Sequence, residues 1–462
     1  MTVLIALLGL AFLMFVAYRG FSVILFAPIA ALIPVLLTDP SAIPTVFTGL
    51  FMEKAVFFVK LYFPIFLLGA VFGKLIEMSG FARSITVAII KLVGAKRAIL
   101  SIVLVAAVLC YGGVSLFVVV FAVYPFAVEM FRAARIPKRL MPATLALGGF
   151  SFTMDALPGT PQIQNIIPTA FFHTTAWAAP WLGTIGGVFI LVTGVLYLQW
   201  RAARAGDEGY GDNHLNEPDA AVDTVHIPHW AIAILPLIAV GVLNKILTSV
   251  IPAVFGATNT VKLPGLKDAI VTQVPAMTGV WALEGALLVG VLLVVALAFK
   301  TIASRFAEGT RPAIAGALLA TLNTGSEYGF GAVIAALPGF LVARDALRVI
   351  PDPLINAAIA TTTLAGITGS ASGGLGIALA SMADQFIASA HAAGIPLEVM
   401  HRITAMASGG MDDLPHNGAV ITVLAVTGLT HRQSYGDIFV ITLMKTFAVF
   451  VVIGVYYATG LV

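Results

Sequence analysis

The sequence predicts an all-α membrane protein of many spans, built as two inverted repeats with re-entrant hairpins and broken transmembrane helices. Three observations lead to that fold. Hydrophobic residues make up 60% of the 462 positions and charged residues 10%, against roughly a quarter charged in a soluble domain. Apolar runs approaching the ~20 residues that cross a bilayer recur along the chain, at 2–18, 21–37, 55–72, 181–200, 230–250, 280–299 and 438–459. Finally, Met-Asp-x-Leu-Pro occurs twice, in MDALPGTP at 154–161 and MDDLPHNG at 411–418, 411 − 154 = 257 residues apart.

The elements follow in order if basic residues mark the cytoplasmic side. The first run has no basic residue ahead of it and no small-residue cleavage site, so it reads as a retained helix rather than a signal peptide. It runs inward to Arg19, the second returns to the Asp39-Pro40 turn, and 55–77 comes back in. Residues 83–97 are basic and amphipathic, and are expected along the inner surface. The run 98–131 is interrupted at Tyr111-Gly112-Gly113 and followed by Arg132, Arg135, Lys138 and Arg139. A single crossing there would put later basic clusters outside, so a re-entrant hairpin is expected. Segment 140–173 then crosses outward, broken at 155–161, and 181–200 returns to Arg201 and Arg204. The acidic, glycine-containing run 201–228 reads as a solvated cytoplasmic linker. The second half, 229–462, takes the path of residues 1–200 upside down: 230–250, 280–299 and 313–342 cross, 354–390 forms a hairpin, 397–429 is a broken helix, and the last span follows. This layout places Arg402 towards the outside and Lys445 within a span.

The halves match beyond the opening motif. Gly112-Gly113 aligns with Gly373-Gly374, Arg135-Ile136-Pro137 with Gly394-Ile395-Pro396, and 69–80 with 329–339, at offsets between 257 and 261. An odd number of spans precedes the second copy, which inverts it. Inverted repeats with discontinuous helices are the architecture of secondary transporters, which bind substrate where the repeats meet. A channel or a membrane-embedded enzyme has no general need of them. Pro158 and Pro415 each remove a backbone donor and force the helix open. Thr160 and Asn417 are placed as N-caps of the second half-helices, with Gln162 and Asn165 following on the first copy. At the hairpin tips Gly373 and Gly374 allow close backbone approach, and Ser115, Ser370 and Ser372 offer hydroxyls. As many as four helix N-termini converge in this layout, a setting that favours an anion such as a carboxylate.

Charge at the bilayer centre costs at least ~2.5–3.5 kcal/mol, so acids retained there are functional candidates. They are Asp155, Glu327, Asp412 and Asp413. Asp155 and Asp412 are repeat mates, which suits either a cap or a proton carrier. Asp413 and His416 face Ala156 and Gly159 in the first copy, and an Asp–His pair without a mate suits a proton relay. Glu327 suits a second proton carrier or a lock between helices. Ser115, Thr160, Gln162, Asn165, Ser370, Ser372, Gly373, Gly374, His416 and Asn417 are the candidate substrate contacts, with capping or helix–helix hydrogen bonds as the alternative for each. The single cysteine, Cys110, excludes an internal disulfide, and the absence of HExxH argues against a zinc enzyme. No metal or cofactor is expected, and a net charge of +3 gives no reason to expect nucleic acid.

SASGGLGIALA at 370–380, HRITAMASGGMDDLPHNGAVITVLAVTGLTHRQSYGDIF at 401–439 and NTGSEYGFGAVIAALPGF at 323–340 resemble the gluconate permease family of the ion-transporter superfamily, over essentially the whole chain. The resemblance implies a proton-coupled importer of small organic acid anions in the bacterial inner membrane, embedded in lipid. It also implies a homodimer with a scaffold domain and a transport domain that moves like an elevator. The sugar-acid branch carries Ser-His-Val-Asn-Asp near the second break, where this chain has Asp412-Asp413-Leu414-Pro415-His416-Asn417-Gly418. The variant here is more similar to the hydroxybutyrate-permease branch, which implies a short hydroxy acid such as 3-hydroxybutyrate. Gluconate, other sugar acids and citrate are the alternative substrates, and sodium the alternative coupling ion.

Overall fold

Inside a bilayer every backbone N–H and C=O must be satisfied within the protein, and this chain meets that demand with helices. The computed structural model describes residues 2–19, 21–94, 97–114, 116–211, 228–339, 350–415 and 417–462. Among them five helical stretches are long and apolar enough to cross a membrane: Pro40–Met78, Pro180–Arg204, Trp230–Phe255, Val274–Leu297 and His431–Thr459. Thr2–Tyr18 and Val23–Thr38 are shorter apolar helices. The chain is a multi-pass membrane protein.

These helices form two groups. In the first, Phe306–Ala336 packs against Met52–Met78 and Val23–Thr38, while Val274–Leu297 packs against Trp230–Phe255 and Met52–Met78. The helix expected from residue 313 begins instead at Phe306 and holds Pro312 within it; the expected end at 342 lies outside the described residues. The amphipathic helix Phe81–Val93 buries Phe81, Ala82 and Ile85 between Trp230–Phe255 and Ala98–Tyr111.

The second group holds the interrupted elements. Ala98–Tyr111 and Leu116–Ala133 pack as one helical hairpin, Pro353–Thr368 and Ala371–Ala392 as another. Gly369 closes the helix before the second tip at φ +64°. Gly374 lies against the Ala365 backbone, where a Cβ would collide, so its use is close helix packing. The first broken segment contains Met141–Gly149, Phe152–Asp155 and Ile163–Phe172; the second contains Leu397–Ser408 and Gly418–Thr427.

The halves exchange partners. Ile163–Phe172 packs on Ala371–Ala392 and Leu397–Ser408, whereas Gly418–Thr427 packs on Leu116–Ala133 and Met141–Gly149. Pro180–Arg204 packs on His431–Thr459. One element lies outside the all-helical expectation. Thr258–Val261 and Ile270–Gln273 pair as an antiparallel, largely exposed two-stranded hairpin between two spans. Short Thr/Val-rich runs of this kind fit a pleated surface, and they fall in a connection that the apolar pattern does not describe.

Candidate functional site

Both helix breaks are anchored to the hairpin tip of their own half. At the second break Asn417 caps Gly418–Thr427: its Oδ1 accepts from the N–H groups of Ala419 (2.6 Å) and Val420 (3.0 Å). Its Nδ2 donates to the Gly369 carbonyl at 3.0 Å, tying the half-helix to the second tip. At the first break Gln162 Nε2 donates to the Cys110 carbonyl at 2.7 Å, and Tyr111 Oη donates to the Pro158 carbonyl at 2.7 Å. Thr160 is not the N-cap expected of it. The helix starts at Ile163 with Gln162 in the cap position, and the Thr160 hydroxyl donates to the Thr153 carbonyl at 2.7 Å.

The two aspartates of MDDLPHNG meet a lysine. Lys445, from the last span, contacts Asp412 Oδ1 at 3.0 Å and Asp413 Oδ2 at 2.5 Å, and donates to the Phe150 carbonyl at 3.4 Å. Lys445 is 1% exposed and Asp413 2%. The second oxygen of Asp413, Oδ1, is buried, with no hydrogen-bond partner among the described residues. The backbone of the break is held as well, by Tyr435 Oη on the Asp413 carbonyl (3.1 Å) and His431 Nε2 on the Pro415 carbonyl (2.9 Å). The expected relay partner, His416, lies outside the described residues, as does Ser115 at the first tip.

A second cation joins the halves. Arg402 is fully buried. It donates to the carbonyls of Ala178 (2.7 Å) and Asp155 (3.0 Å) and to Asn165 Oδ1 (2.9 Å). Asn165 Nδ2 in turn donates to the carbonyls of Thr160 (2.9 Å) and Ala176 (2.8 Å), so both ends of its amide hold protein. His401 completes this knot against Thr174 at 2.6 Å. Asp155 stands beside it, 3% exposed, its carboxylate pressed on Gly409, where a Cβ would overlap it.

Glu327 forms a separate cluster where Phe306–Ala336 meets the second hairpin. It is 4% exposed and lies directly over Gly373, which has no room for a side chain. Thr324 Oγ1 and Ser372 Oγ are 3.4 Å apart beside it. Ser370 caps Ala371–Ala392 by accepting from the Gly373 N–H at 3.0 Å. The structure thus joins Ser370, Ser372, Gly373 and Glu327 in one place and Asp155, Asp412 and Asp413 in another.

Sequence reasoning misses both cations as site residues: Lys445 because acids alone are its candidates inside the spans, and Arg402 because the layout places it towards the outside. The signal existed for Lys445, whose charge lies alone in the run 438–459, and the cost of burial applies to either sign.

No family model matches the chain. The uncharacterized transporter YxjC of Bacillus subtilis strain 168 is 56% identical over 473 residues, spanning 100% of both chains. This chain belongs to that transporter family. The crystal structure of the YdaH transporter of Alcanivorax borkumensis aligns over 92% of this chain and 90% of that one, at 16% identity and a TM-score of 0.47. Its likeness to YxjC makes this protein a transporter of a small-molecule substrate, and Asp155, Asp412 and Asp413 lie buried at its helix breaks.

Proposed function

We propose that this transporter is a proton-coupled importer of a small hydroxycarboxylate such as 3-hydroxybutyrate in the bacterial inner membrane, of the gluconate permease type. The observation that carries this reading is the buried Asp412–Lys445–Asp413 group at a helix break, one residue run away from a half-helix whose N-terminus is capped and tied to a hairpin tip. Broken helices of this kind turn their positive dipole ends towards the substrate anion. Ser370, Ser372 and Gly373 are the proposed substrate contacts from the hairpin, with Asn417 positioning the opposite half-helix. Thr160, Gln162, Asn165 and Gly374 hold the surrounding backbone. The ammonium of Lys445 lies between the carboxylates that would otherwise attract a metal cation, which favours protons over sodium.

The exchange of packing partners between halves supports the inverted repeat. The helices around Met52–Met78 and Phe306–Ala336 then act as scaffold, and the hairpins with the broken helices as the unit that moves in an elevator cycle, in a homodimer. Uptake of labelled 3-hydroxybutyrate into proteoliposomes under an inward proton gradient, without sodium, tests the reading. Concentrative uptake, competed weakly by gluconate, is expected. Robust uptake of gluconate or citrate in its place would overturn the substrate, and a requirement for sodium would overturn the coupling ion.

A further inference from the structure

The two breaks bring three carboxylates, Asp155, Asp412 and Asp413, into electrostatic reach of two cations, Lys445 and Arg402. All five are at least nine-tenths buried, and the formal sum is −3 + 2 = −1. The charges are not equally served. Lys445 contacts both Asp412 and Asp413. Arg402 turns its donors to the carbonyls of Asp155, Ala176 and Ala178 and to Asn165 Oδ1, and makes no ion pair with the Asp155 carboxylate. No hydrogen bond from a described residue reaches that carboxylate, and its Oδ1 is enclosed.

The titratable groups near Asp155 come from several of the elements around it. Cys110 and Tyr111 end Ala98–Tyr111, His401 and Arg402 lie on Leu397–Ser408, Asp412 and Asp413 on the second break, and Lys445 on the last span. Tyr111 is engaged with the Pro158 carbonyl and His401 with Thr174. A buried carboxylate that no described residue meets with a hydrogen bond or an ion pair is costly as an anion.

We infer that Asp155 carries the transported proton, and that Lys445 is a built-in counter-ion to Asp412 and Asp413 in the place a coupling metal ion would take. This inference rests on the proposed proton coupling and narrows it to one residue, in preference to the Asp413–His416 relay expected from the sequence. One proton on Asp155 brings the centre to neutrality. Carriage of that proton with one monocarboxylate moves no net charge, so an imposed membrane potential leaves uptake unchanged.

The test has two arms. Infrared spectra of the purified full-length protein read the C=O stretch of protonated carboxyls directly, with or without a substrate. A carboxyl component present in wild type is expected to vanish in Asp155→Asn, to persist in Asp412→Asn, and to grow in Lys445→Gln, where the two remaining aspartates lose their counter-ion. In proteoliposomes Asp155→Asn is expected to keep counterflow exchange of 3-hydroxybutyrate and to lose accumulation driven by a proton gradient. An Asp155→Asn spectrum that matches wild type, or undiminished proton-driven accumulation by that variant, would overturn the assignment. If wild type carries no 3-hydroxybutyrate at all, the proposed substrate fails while the infrared arm still decides where the proton sits.

Discussion

At the residue scale, Lys445 is the group on which the centre depends. Removing one partner of a buried ion pair leaves uncompensated charge and costs ~3–5 kcal/mol, so Lys445→Met is expected to lower the unfolding temperature in detergent sharply. Adding Asp413→Asn to that variant is expected to restore part of the loss; no restoration would show that Lys445 acts through packing alone. Asn417→Ala removes a cap worth ~0.5–2 kcal/mol together with the tie to Gly369, and a stability change near zero would contradict the observed geometry. Gly373→Ala puts a methyl group into the Glu327 carboxylate; transport is expected to fall with folding largely retained, as read by uptake alongside size-exclusion behaviour. The acids of the centre were legible in the sequence because charge is rare in spans. Their partners were not, since nothing in a linear chain shows that residue 445 folds back onto 412 and 413, or that Arg402 reaches the first break.

At the scale of elements, proline and glycine marked both breaks and both tips correctly, because missing donors and missing side chains act locally. Which polar side chain caps each half-helix was only half legible. Asn417 does so, but on the first copy the chain stays extended through Gln162, which moves the helix start beyond the reach of Thr160. Ion pairs hold the hydrophilic end of these elements: Arg139 pairs with Glu208 at 2.8 Å, and Asp437 with Arg201 at 2.6 Å. The Arg139 guanidinium holds the Glu208 carboxyl below its ordinary range. A lowered value stabilises the folded protein above the unfolded glutamate value of ~4.3, and this contribution disappears as pH falls through the folded value. Glu208→Gln is therefore expected to remove a small acid-dependent part of the unfolding profile, small because the pair is solvent-screened. Equal pH profiles for the two proteins would show that the pair contributes nothing.

For the whole molecule, the doubled Met-Asp-x-Leu-Pro motif marks two breaks, and the packing sets the broken helix of each half of the chain against elements of the other. The β-hairpin Thr258–Val261/Ile270–Gln273 escaped because hydropathy reports spans and says little about connections. The elevator reading requires Phe306–Ala336 to slide against Ala371–Ala392. A Cβ at Gly331 would lie 3.1 Å from that of Ile377, close to disulfide reach. In a Cys110→Ser background, oxidising the double variant Gly331→Cys/Ile377→Cys is expected to stop transport until a reductant is added. Full activity while cross-linked would contradict a sliding interface there.

The most direct measurement is the pH outside sodium-free proteoliposomes when 3-hydroxybutyrate is added. Alkalinisation that tracks acid uptake, one proton for each acid and unaffected by a potassium–valinomycin potential, is the expected result. Uptake of the acid with no proton movement, or proton movement that appears only with sodium, would contradict proton-coupled transport through this centre.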